Sequence, residues 1–112
     1  MTTSTATAWR LDPPEERADE ELVREVLGGT LGRFDVLVRR HLPRLRRAVR
    51  GVVRDRAEAE DVVQQAFLQA FARLQGWTAS APFAIWLTRI AMNEALMRVR
   101  RSRRPAALSC AI

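Results

Sequence analysis

Two neighbouring runs of this chain hold the side chains best suited to recognition chemistry. The first, AEDVVQQAFLQAFARL from Ala59 to Leu74, sets acids and amides at helical spacing. The second, FAIWLTRIAMNEALMRVRRSRR from Phe83 to Arg104, begins aromatic and ends in arginine. Aromatic rings stack on unpaired bases while guanidinium groups hold phosphates, so the second run suits single-stranded nucleic acid. Carboxylates repel DNA, and the first run suits a protein partner better. Trp77, in the loop between the two, joins the aromatic set.

Catalysis is not indicated. Gly28-Gly29 lacks the spacing of a phosphate loop and the Lys-Ser/Thr that should follow it. Glu60 and Asp61 are chain neighbours, and on a helix their carboxylates diverge. The lone His41 and lone Cys110 make neither a zinc site nor a nucleophile–base pair. The expectation is a binding protein with no enzymatic activity, metal or cofactor.

Charge divides the chain. Residues 1–32 carry seven acids and three arginines, a net of −4, whereas the rest carries sixteen arginines and six acids, a net of +10. That asymmetry points to a polyanionic partner for the later part. All 19 cations are arginine, a residue whose planar fork grips phosphate through two bonds. At 112 residues and 47% hydrophobic composition, one packed domain is expected. No apolar run approaches the roughly 20 residues of a membrane span. MTTSTATAWR lacks a basic start followed by an apolar block, so a cytoplasmic location is expected.

The elements that must position these residues read as all-α, a compact bundle of about four helices. The chain has no tyrosine and no Asn-Gly or Asp-Gly hairpin signal. Residues 1–11 are small and polar and are expected to be disordered. Asp12-Pro13-Pro14 suits a helix opening, and Leu22, Val23, Val26 and Leu27 keep helical spacing until Gly28-Gly29 stops it. A second helix is expected from Thr30 to about Arg54, with Phe34, Leu37, Val38, Leu42, Leu45, Val49, Val52 and Val53 buried. Pro43 should kink or break it. Arg39, Arg40, Arg44, Arg46, Arg47 and Arg50 form either a solvated face or a track for DNA backbone.

Asp55 and Glu58 resemble a capping box at the start of the third helix. At about 100° per residue, Ala59, Val63, Ala66, Phe67, Ala70, Phe71 and Leu74 share its inner face. Asp61, Gln64, Gln65 and Leu68 are left outside, where Leu68 would serve as a docking anchor. Gly76 should end this helix. For the fourth helix Ser80 is the expected N-cap, with Pro82 in the first turn. Phe83, Leu87, Ile90 and Met97 should face the core, with Trp86, Arg89 and Asn93 on one flank and Arg100 beyond. Arg98, Arg100, Arg101, Arg103 and Arg104 crowd the helix end beyond what matching the helix dipole needs, so nucleic-acid contact is expected.

ELVREVL, FDVLVRRHLPRLRRAVR, AEDVVQQAFLQAF and WLTRIAMNEALMRVRR together resemble region 2 of bacterial sigma factors of the extracytoplasmic-function group, over Glu20 to Arg104. The resemblance implies a σ2-like domain over 12–104 that binds core RNA polymerase and recognises or melts the promoter −10 element. It implies docking of Asp61, Gln64, Gln65 and Leu68 on the clamp helices of the β′ subunit. It assigns the non-template strand of promoter DNA to Trp77, Thr78, Ala79, Ser80, Trp86, Arg89, Asn93, Arg100, Arg101, Arg103 and Arg104. An anti-sigma protein is a further implied partner.

The sequence departs from the family pattern at Ala79 and Ser80, at Met97 and at Gln65, which bears on base preference and docking strength. Residues 105–112 are expected to be a tail or the start of a linker. Within these 112 residues no second, −35-reading domain is expected, which leaves a second reading open: a decoy or regulatory fragment that binds polymerase or an anti-sigma protein without initiating transcription.

Overall fold

The computed structural model describes residues 18–111, with side chains from 18 to 102. The expected disordered segment 1–11, the Asp12-Pro13-Pro14 opening and the side chains of Arg103 and Arg104 lie outside the described residues. Helix α1, Asp19–Leu27, follows Ala18, which is extended at φ −66° and ψ 152°. Asp19, Glu20 and Glu21 fill its first turn, where acids complement the helix dipole. Its end is a Schellman motif: the Thr30 amide bonds the Glu25 carbonyl at 2.9 Å and the Gly29 amide bonds Val26 at 3.0 Å. Gly29 sits at φ +111°, a backbone state that side chains resist, so the Gly-Gly stop has a steric cause.

Helix α2, Arg33–Arg50, is shorter than expected at both ends. It runs unbroken through Pro43, so the expected break does not occur. Pro43 lies on the exposed side, as does Arg39, whose carbonyl loses its helical donor and can bond water instead. Val36, Leu37, His41, Leu45 and Val49 are buried, while Phe34, Val38, Leu42 and Val52 are only half-buried. The expected stripe missed Val36 and His41 because α2 packs against α1 and α4 as well as α3, so more than one of its faces is covered.

Helix α3, Arg56–Ala72, opens on Asp55, whose carboxylate accepts the Glu58 amide at 2.9 Å. Such a cap contributes about 1 kcal/mol. Ala59, Val62, Val63, Ala66, Phe67 and Ala70 are buried, and the alanines let neighbouring helices approach closely. Val62 was not among the expected core residues. It faces inward because α3 is covered by both α2 and α4. Phe71 is a second correction: it is 42% exposed at the α2 edge, where its ring meets Phe34 edge-on at 5.1 Å. The helix stops at Ala72 and a 3₁₀ turn, Leu74–Gly76, buries Leu74.

Helix α4, Phe83–Ala111, begins one residue after Pro82, whose carbonyl accepts the Ile85 and Trp86 amides at 3.1 and 3.2 Å. Pro82 therefore takes the cap position expected of Ser80. The Ser80 hydroxyl instead pairs with that of Thr78 at 2.7 Å. Phe83, Leu87, Ile90, Ala91 and Ala95 are buried, but Met97 is 41% exposed. The inward stripe passes through Glu94 and Arg98 instead, and their mutual ion pair makes that possible. The helix continues through Pro105 to Ala111.

Candidate functional site

The loop of residues 77–82 is held by its own tryptophan. The Trp77 indole N–H donates to the Ala81 carbonyl at 3.0 Å, which closes the loop on itself. The same ring stands edge-on to buried Phe83, centroids 5.5 Å apart, and Phe83 tilts against Trp86 at 5.5 Å and His41 at 5.3 Å. Trp77 and Trp86 are thus half-buried members of one aromatic cluster, and each leaves part of its ring outside. Thr78, Ala79 and Ser80 are exposed at the loop tip.

The cluster is fixed from behind by α1. Asp19 accepts from Arg40 Nη1 at 2.8 Å and meets His41 Nε2 at 3.0 Å. Burial pushes the Asp19 carboxyl up, but His41 and Arg40 outweigh it and hold it below its ordinary value. Sequence reasoning left His41 without a role. Its place one helical turn after Leu37 on the inner face was the available signal.

On α4, Arg89, Asn93, Arg100 and Arg101 are exposed, and none of these arginines has an ion pair among the described residues. Trp86, Arg89 and Asn93 follow each other at i, i+3 and i+7, so they form one stripe beside the loop. Arg98 is different. Burial would lower its pKa, yet it is raised by carboxylates around it: Asp61 at 2.8 Å, Glu94 at 2.9 Å and Glu58 at 3.3 Å. The expected role of Arg98 in nucleic-acid contact is therefore corrected: it bolts α3 to α4. Glu94, its buried partner, also accepts from Gln69 at 3.1 Å. The i, i+4 spacing of Glu94 and Arg98 was legible, whereas Glu58 and Asp61 come from another helix.

The second surface lies on α3. Asp61 and Gln64 are exposed, Gln65 is half-buried, and Leu68 is 61% exposed. Beside Gln64 and Leu68 an apolar groove opens between α2 and α3, lined by Phe34, Val38, Leu42, Phe67 and Phe71. Arg46 and Glu60 close its rim with a two-bond pair at 2.7 and 3.1 Å. The hydrogen bond from Arg46 holds the Glu60 carboxyl below its ordinary value. The groove was missed from sequence because Phe34 and Phe71 were read as core.

Residues 37–105 match the sigma-70 region 2 family. The chain belongs to that family. This region 2 domain is 36% identical over 91 residues to the RNA polymerase sigma-H factor of Pseudomonas aeruginosa, covering 80% of this chain and 47% of the relative. It is 35% identical over 92 residues to the ECF RNA polymerase sigma-E factor of Escherichia coli, covering 81% and 48%. The chain thus spans about half the length of the curated relatives it matches. Among solved structures it is similar to an engineered region 2 of sigmaE, in an NMR structure of its complex with GTAAAA, at 33% identity and a TM-score of 0.70. That similarity covers 80% of this chain and 94% of the other.

The family match begins inside α2, so α1 lies outside it. Even so, Leu22, Val23 and Val26 of α1 belong to the core, and Asp19 anchors His41. The region 2 domain described here is built on all four helices.

Proposed function

We propose that this region 2 domain docks on core RNA polymerase through α3 and holds the unpaired non-template strand of a promoter −10 element on α4 and the loop before it. The docking residues are Asp61, Gln64, Gln65 and Leu68, on the clamp helices of β′. The strand-holding residues are Thr78, Ala79, Ser80, Trp86, Arg89, Asn93, Arg100 and Arg101, with Arg103 and Arg104 continuing the basic end. Trp77, half-buried, shapes the loop through its bond to Ala81. One observation carries the reading: in a chain of this family, an acid-and-amide face and an aromatic-and-arginine face stand exposed on adjacent helices joined by Arg98.

Extracting a base from a duplex costs a few kcal/mol. Stacking on an aromatic side chain returns roughly 1–3 kcal/mol per base, and arginine–phosphate contacts add a sequence-independent share. Strand opening then follows from selective binding of the open form and needs no nucleotide hydrolysis. An anti-sigma protein that covers either face would silence the domain.

The test is co-purification of the domain with core RNA polymerase, followed by titration of a labelled −10-like strand into the mixture. Capture of core enzyme and preference for the single strand over its duplex are expected. A domain that ignores core enzyme would sink the docking half of the reading. Equal affinity for single strand and duplex would sink the other half.

A further inference from the structure

A shallow groove of about 340 Å³ lies between α2 and the first turns of α4. Its floor is Ala84, Ile85, Thr88 and Met92, and Arg44 and Arg89 stand over it from the two helices. Ile85 is 51% exposed, so it offers apolar surface to this groove. The Thr88 hydroxyl donates to the Ala84 carbonyl at 2.7 Å, so its methyl completes an apolar floor.

The arginines of α2 divide into two sets. Arg33, Arg39, Arg40 and Arg46 are held by Glu25, Asp35, Asp19 and Glu60. Arg44, Arg47 and Arg50 are exposed and have no ion pair among the described residues. Arg44 and Arg47 are three residues apart and so share one side of the helix.

We propose that this groove is a second seat for single-stranded DNA, holding the continuation of the strand beyond the segment read on the Asn93 stripe. The proposal rests on the strand-holding reading above. Two guanidinium groups without carboxylate partners fit consecutive phosphates, and an apolar floor between them fits the face of a sugar or base. A duplex backbone offers the phosphates but keeps its bases stacked inside, so it leaves the floor bare. Arg89 belongs to both the groove and the Trp86–Asn93 stripe, which makes the two seats continuous. The groove is at the small end of ligand sites, which fits a single nucleotide unit of a passing strand.

The experiment compares the hexamer GTAAAA with the same hexamer extended at both ends, by fluorescence anisotropy at several salt concentrations. Wild-type protein, Arg44→Glu and Met92→Glu are compared, with circular dichroism reporting helicity. Arg44→Glu is expected to weaken the extended strand about tenfold and to leave the hexamer unchanged. The slope of log affinity against log salt should become shallower by about 0.7 for each phosphate that the protein no longer neutralises. Met92→Glu should show the same selective loss with Arg44 intact.

Equal loss on both strands, or no loss on either, overturns the second seat. If neither wild type nor variant binds the hexamer but the extended strand still depends on Arg44, the groove stands and the Asn93 reading falls. If the hexamer binds and the extension adds nothing in wild type, the groove falls and the Asn93 reading stands.

Discussion

Arg98 holds Asp61 across the junction of α3 and α4, with Nη1 and Oδ2 2.8 Å apart, while its Nε holds buried Glu94 at 2.9 Å. A residue of the proposed docking face and a residue next to Asn93 thus share one cation. The two faces are set relative to each other by a guanidinium, in addition to the apolar packing beneath.

Replacing Asp61 tests the docking face. Asp61 is more than half exposed, so its pair with Arg98 is worth no more than about 1 kcal/mol. Asp61→Arg should cut capture of core RNA polymerase at least tenfold while far-UV circular dichroism stays unchanged. Full capture by the variant contradicts the assignment.

Replacing Arg98 tests the bolt. Arg98→Ala leaves the Glu94 carboxylate buried without its cation, which should cost about 3 kcal/mol. Adding Glu94→Gln should restore part of that loss, because an amide tolerates burial better than a lone charge. Chemical denaturation measures both, and a loss below about 1 kcal/mol for the single variant refutes the structural role.

Replacing Asn93 tests base reading. Asn93→Ala should weaken a −10-like single strand several-fold more than it weakens the matching duplex. Competition titration measures the ratio, and equal weakening assigns Asn93 to backbone contact only.

Acid stability tests the tie from α1. The Asp19 carboxyl is held below its ordinary value of 3.8, so the folded state binds its proton less readily than the unfolded chain does. This contribution is present in full above the unfolded value and is lost as pH falls through the lower folded one. The stability gap between wild type and Asp19→Asn should therefore be widest near neutral pH and close below about pH 4. A gap that persists unchanged into acid would assign the effect to something other than the Asp19 charge.

The Trp77 hydrogen bond is separable from its ring. Trp77→Phe keeps an aromatic group on Phe83 but removes the donor to Ala81. Strand binding should weaken several-fold, with unfolding free energy lowered by only about 1 kcal/mol. Unchanged strand affinity would show that the loop needs no such closure.

Much of this domain was readable in its residues. The Gly28-Gly29 stop, the Asp55 cap and the exposure of Asp61, Gln64 and Leu68 follow from local rules that depend on few neighbours. The errors arose where a second helix decides. A single-face wheel buried Met97 and Phe71, but α4 turns Glu94 and Arg98 inward because α3 supplies the compensating carboxylates. His41 and Val36 were passed over because one stripe was assigned to a helix that is covered on several sides. Ser80 looked like a cap by residue type, yet Pro82 is the residue whose carbonyl starts the helix. The division of the α2 arginines into paired and unpaired sets depends on acids at positions 19, 25, 35 and 60, three of them on other helices.

Helix α1 has a practical corollary for anyone trimming this domain to the span its family shares. A fragment begun at Leu37 would lose Leu22, Val23 and Val26 and bare the side of α2 that they cover. It would also start partway along that helix, with no capping turn before it. Such a piece should come out of cells as insoluble aggregate, and restoring the segment from Asp19 onward should return it to solution.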